Sequence, residues 1–122
     1  MKKFTILIPV YNDWESLSKL LYEINSIAEN IKKVEFKCVI INDASSEQFP
    51  EIKPPSNIIS IELINMKENR GHARCNAFGI RYLAENSDSY DHVILMDGDG
   101  EDRPEEIKLL VDKALSDENI SV

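Results

Sequence analysis

The sequence predicts an α/β protein built on an open, mostly parallel sheet flanked by helices. Two observations carry this. Four short apolar runs beginning at Phe4, Lys37, Ile58 and Val93 alternate with stretches whose apolar residues recur at helical spacing. Each run also stops abruptly in a polar cluster: Tyr11 to Asp13, Asn42 to Ser46, Asn65 to Gly71, and Asp97 to Asp102. Ligands of such sheets bind outside the carboxyl ends of the strands, so four polar strand ends on one rim point to a site.

Phe4 to Val10 is almost continuously apolar and β-branched, as expected of a strand buried on both faces. A helix follows, capped by Asn12 or Asp13, with Leu17, Leu20, Leu21, Ile24, Ile27, Ala28 and Ile31 on one face. Lys37 to Ile41 reads as the second strand. Gln48 to Asn57 carries Pro50, Pro54 and Pro55 and reads as an irregular surface loop. Ile58 to Ile64 gives a third strand, and a helix is expected from His72 to about Glu85. Val93 to Met96 gives the fourth strand. Pro104 suits the first turn of a last helix, where Glu105 and Glu106 favour the positive end and Ile107, Leu110, Val111, Ala114 and Leu115 form the buried stripe.

At 122 residues the chain amounts to one domain or less. Its net charge of −8 and the lack of a basic stripe argue against nucleic acid or anionic lipid as the main partner. The same charge means that an anionic substrate needs a cation as intermediary. Cys38 and Cys75 have no metal-ligand spacing and read as reduced, packed thiols. No signal peptide and no window of ~20 apolar residues is visible, so the chain is read as cytoplasmic, with any membrane association expected through segments outside it.

The densest chemistry lies in Asp97-Gly98-Asp99. Two carboxylates separated by one residue repel each other unless a cation sits between them, and oxygen ligands suit a hard ion such as Mg2+ or Mn2+. A solvated acidic turn is the bland alternative. Other nucleotide and metal signatures fail. There is no G-x-G-x-x-G after the first strand and no G-x-x-x-x-G-K-[ST]. An EF-hand loop from Asp97 would put Asp102 where glycine is needed and Lys108 where the bidentate glutamate belongs. With His72 and His92 as the only histidines, no nucleophile–histidine pairing is compelling.

Four segments together resemble the family-2 glycosyltransferases of the GT-A fold. Ile8-Pro9-Val10-Tyr11-Asn12 looks like their opening strand, and Ile40-Ile41-Asn42-Asp43-Ala44-Ser45 like a second strand usually ending Asp-Asp-Gly-Ser. Asn69-Arg70-Gly71-His72-Ala73-Arg74 with Gly79 resembles their Asn-x-Gly helix entrance, and Met96 to Glu105 their Asp-x-Asp segment. The Asp-x-Pro-Glu tail from Asp102 to Glu105 is similar to the polyprenyl-phosphate sugar transferase subgroup. The resemblance covers essentially the whole chain.

It implies a donor that is a nucleotide-diphosphate sugar, with an Mn2+ or Mg2+ ion bridging the diphosphate. Asp99 would be a direct ligand, and Asp97 would stand nearer the ribose or act through water, with Gly98 between them. Asp43 would contact the base, or else serve as a turn cap. Asn42 replaces the first acid of the usual pair. Tyr11 would pack near the base, with Pro9 and Asn12 beside it, Pro9 also serving as a strand-end device. Gly71 would let backbone approach the ligand or satisfy a turn. Arg74 would face the diphosphate or pair with Glu68 or Asp97.

Residues 1–122 are thereby read as the nucleotide-sugar-binding N-terminal part of a catalytic domain. The catalytic base is expected beyond Val122, and the acceptor as a glycan or a lipid phosphate at a membrane. Inversion of configuration is the family expectation. Two other readings compete: a non-catalytic nucleotide-binding or assembly module, and a nucleotidyltransferase-like domain. The second normally needs a glycine-rich basic first loop, which Tyr11-Asn12-Asp13-Trp14 is not.

Overall fold

Lys2–Val10 forms β1, at the centre of the sheet, and the apolar residues on both its faces are buried from Phe4 onward. The computed structural model describes residues 2–31, 33–47, 55–85, 90–96 and 105–117. The remaining elements are α1 (Trp14–Ala28), β2 (Val34–Asn42), β3 (Ser60–Asn65), α2 (His72–Glu85), β4 (His92–Leu95) and α3 (Glu105–Asp117). The four strands run parallel in the order β3-β2-β1-β4. Every element expected from the sequence is present, with boundaries shifted by a few residues, but Leu110 of the stripe expected to be buried on α3 is 46 % exposed, because the helix turns only Ile107 and Val111 fully into the core. β1 and β2 begin earlier than their apolar runs, because Lys2 and Lys3 pair in register with Val34 and Glu35.

Period-two alternation divides β1 and β2 between two apolar layers. Phe4, Ile6, Ile8 and Val10, with Phe36, Cys38 and Ile40, pack against Leu17, Leu20, Leu21 and Ile24 of α1 and Ile107 and Val111 of α3. Leu7, Val39 and Ile41 face the other way, onto Cys75 and Leu83 of α2. Gly79 brings α2 close to β1: a Cβ there would stand 2.6 Å from both terminal carbons of Leu7. Both cysteines are free and buried, as expected. Burial pushes the Cys38 thiol up to about 12, since a thiolate cannot be solvated there.

The helix starts follow local chemistry. Asp13, one of the two residues expected to cap α1, does so by accepting the Ser16 N–H at 3.4 Å. α1 ends at Ala28, yet Ile31 still packs on the core, so the apolar stripe outruns the helix by one turn. Residues 48–54 of the expected proline-bearing loop and residues 97–104, with Asp97, Gly98, Asp99 and Pro104, lie outside the described residues.

Strand order places the site. From β1 the chain moves to β2 and then β3 on one side, and α2 carries it back across to β4 on the other. The carboxyl ends of β1 and β4 therefore flank the switch point, where open α/β sheets have their ligand crevice. Leu7 pairs with Leu95, and the Met96 N–H donates to the Leu7 carbonyl at 3.0 Å. The sheet thus holds the chain as far as Met96, the residue before Asp97.

Candidate functional site at the carboxyl rim of the sheet

Three loops meet at the described part of this rim, and hydrogen bonds between them organise it. The register continues past the strands: the Asp43 N–H donates to the Val10 carbonyl at 2.8 Å, and the Met66 N–H to the Asn42 carbonyl at 2.8 Å. Asn42 and Asn65 are register partners, and the Asn42 amide donates to Asn65 Oδ1 at 2.9 Å. Asn42 Oδ1 accepts the Ser45 N–H at 3.0 Å. An amide suits this position because it both donates and accepts, whereas an ionised carboxylate can only accept.

Asp43 is 1 % exposed. Its Oδ1 accepts the Arg70 N–H at 2.7 Å and its Oδ2 the Gly71 N–H at 2.9 Å. The Asn69 amide adds a bond to the Asp43 carbonyl at 3.3 Å. Asp43 thus ties the end of β2 to the entrance of α2 and meets the helix's positive end with its own charge. Turn-capping, one of the two roles expected of Asp43, is visible in this geometry. Cys75, one turn into α2, has its thiol pushed up to about 12 by burial and by a hydrogen bond to the Asp43 carboxylate, so it stays protonated.

Two non-glycine residues at the rim adopt left-handed backbone, Asn12 at φ 52° and Ala44 at φ 58°. Asparagine tolerates this conformation, while alanine is strained by it. Ala44 stands where the resemblance has glycine, and the local strain explains that preference. Gly71 has φ 87° with open space where a Cβ would stand, so the turn requires glycine there.

The other expected site residues divide by exposure. Tyr11 is 46 % exposed at the end of β1, free to meet a flat ligand, while Pro9 is buried inside the strand and pairs with Ile41. Arg74 is exposed on the first turn of α2. Glu68, one of its expected partners, instead pairs with Arg70 at 3.0 Å. Asn12 does not point away from the protein; it bonds to Ser45, Ser46 and Glu47 across the loops. Sequence reasoning took Ser45 and Ser46 only as part of the polar end of β2 and did not single out Glu47, nor Asn76, whose side-chain oxygen is buried with no hydrogen-bond partner among the described residues. Among the described residues no cluster of three or more His, Cys, Asp or Glu could hold a metal, and no helix is long and apolar enough to cross a membrane.

Comparison with known proteins agrees with the geometry. The family model for glycosyl transferase family 2 matches residues 5–122. Undecaprenyl-phosphate 4-deoxy-4-formamido-L-arabinose transferases from Salmonella choleraesuis, Salmonella paratyphi B and Salmonella newport are each 34% identical to this chain over 120 residues. Each match covers 93% of this chain and 34% of the relative, so the chain spans about a third of the length of the curated relatives it matches.

Proposed function

The chain belongs to glycosyl transferase family 2, and on that premise we propose that it is the donor-binding part of a glycosyltransferase. The donor is a nucleotide-diphosphate sugar, as the motif resemblance implies, and the acceptor a polyprenyl phosphate, as the name of the Salmonella relatives suggests. Such an acceptor puts the parent enzyme at a membrane surface. The observation that carries the reading is the rim itself. The switch point lies between β1 and β4, and the sheet's hydrogen bonds hold the chain there as far as Met96, one residue before Asp97 in sequence.

The charge at this rim dictates how a diphosphate is held. The protein carries −8 overall, and the positive end of α2 is already met by the Asp43 carboxylate. The Asp43 charge there offsets part of the positive potential that a second anion would use. Arg74, exposed one turn on, supplies one positive group toward the diphosphate. The donor set of Asp97 and Asp99, all carboxylate oxygen, fits a hard ion of the Mg2+ or Mn2+ type. When bound, that ion neutralises the charge that grows on the departing nucleoside diphosphate. Tyr11 gives the nucleoside an exposed aromatic face. A carboxylate has about four acceptor positions, and with Arg70, Gly71 and the Cys75 thiol already on it Asp43 keeps one for an N–H donor of a base.

The rival reading as a non-catalytic assembly module shares the fold but has no need of a metal-dependent nucleotide. Calorimetric titration of this chain with UDP and with GDP, with and without manganese, separates the two. Binding that strengthens with manganese supports the donor-site reading. Equal heats with and without the metal, or no heat with either nucleotide, contradict it.

A further inference from the structure

Asn12 is half-buried between two loops that lie 33 to 35 residues apart in sequence. Its backbone N–H donates to Ser45 Oγ at 2.9 Å, its Nδ2 to Ser46 Oγ at 3.0 Å, and its Oδ1 accepts the Glu47 N–H at 2.9 Å. The indole N–H of Trp14, two residues on, donates to the Glu47 carbonyl at 3.2 Å. Three consecutive residues after β2 are therefore held by the turn after β1. That turn needs Asn12 at φ 52°, which asparagine adopts more readily than most residues.

We propose that Asn12 is a positioning residue, clamping the Ser45–Glu47 segment to the β1–α1 turn so that the nucleoside-facing rim stands ready before a donor arrives. This rests on the donor-site reading above. The clamp joins the two rim segments that carry Tyr11 and Asp43. The amide acts within the protein, through Ser46 and Glu47, instead of on the donor. Preorganisation of this kind raises affinity by removing the cost of ordering loops at the moment of binding.

Two variants isolate the clamp. Asn12→Gly keeps the left-handed backbone without strain and removes both side-chain bonds. Asn12→Asp keeps an acceptor for the Glu47 N–H, and the Ser46 hydroxyl can turn to donate to the new carboxylate. Uncharged uridine and guanosine, without metal, serve as probes, so that the added charge of Asn12→Asp does not repel a diphosphate. Affinities are read well below each variant's melting temperature, where a loss of stability alone leaves binding unchanged. Exchange of the Glu47 amide hydrogen is followed in parallel.

For Asn12→Gly the expected result is an affinity lowered about tenfold with faster Glu47 exchange, and for Asn12→Asp recovery of both. Unchanged affinity in Asn12→Gly overturns the proposal. So does an Asn12→Asp variant that protects the Glu47 amide yet binds as weakly as Asn12→Gly, because the amide would then be touching the ligand. If the wild-type chain binds neither nucleoside, the donor-site reading fails, and Glu47 exchange alone decides the clamp: loss in Asn12→Gly with recovery in Asn12→Asp supports it, and no change refutes it.

Discussion

Replacing Asp43 with asparagine should cost the protein far more than a polar-to-polar change at a loop normally does. The carboxylate is 1 % exposed and accepts two backbone N–H groups, at 2.7 and 2.9 Å. A hydrogen bond to a charged group contributes roughly 1.5–3 kcal/mol. Asparagine keeps one acceptor and turns an NH2 group toward the other N–H, so one bond is lost to a donor–donor contact. The remaining bond loses its charge, and the positive end of α2 loses a partner worth about 0.3–1 kcal/mol. Arg70 is an exposed residue, and water reaching it offsets part of this, leaving a net loss of about 3 kcal/mol. For a chain of 122 residues that lowers the melting temperature by roughly 10 °C. Urea unfolding should show the same loss with an unchanged m-value. A variant that melts within about 2 °C of wild type would refute the clamp drawn between β2 and α2. Measured on the same variant, affinity for an uncharged nucleoside reports the second role proposed for Asp43, since losing that contact should cost about 1.5–3 kcal/mol of binding.

Two further outcomes follow from the backbone and from burial. Ala44→Gly relieves left-handed strain of roughly 1–2 kcal/mol and gives back about 0.4–1 through the looser unfolded chain, so thermal melting should show a small gain in stability; a loss would contradict the φ of 58°. The Cys38 thiol, raised by burial from 9.0 to about 12, favours the folded state fully below its unfolded value, and that contribution is lost as pH rises from 9 toward 12. The full effect is about 4 kcal/mol, so between about pH 8 and pH 11 wild type should lose more melting temperature than Cys38→Ala; parallel curves would refute the assignment.

The fold was legible because its central strands, β1 and β2, are largely buried on both faces. Ile6, Leu7 and Ile8 are each fully buried, and a central parallel strand shows this directly as a continuous apolar run. The helices were legible from capping and spacing, as Asp13 and the Leu17–Leu21–Ile24 stripe show. The interior roles at the rim were less visible. Asn12 and Asp43 act through single hydrogen bonds to residues 27 to 35 positions away, which leave no periodic trace in a sequence. Both stood out as candidate donor contacts, because polar residues at strand ends look alike whether they face a ligand or one another. Ala44 was a readable clue: alanine where the resemblance has glycine marks a left-handed turn.

The central claim is that the acids following β4 hold a cation that binds the donor's diphosphate, and Asp99→Asn tests it most directly. The substitution keeps the shape of the side chain and removes the charge that holds a hard ion. The measurement is nucleoside-diphosphate affinity of this chain with and without manganese, with melting temperature recorded on the same samples. Wild type should bind about tenfold or more tightly with manganese, and the variant should show no such gain. Its melting temperature without metal should hold or rise, because repulsion from Asp97 is relieved. A destabilised Asp99→Asn that still binds nucleotide through manganese would contradict the account.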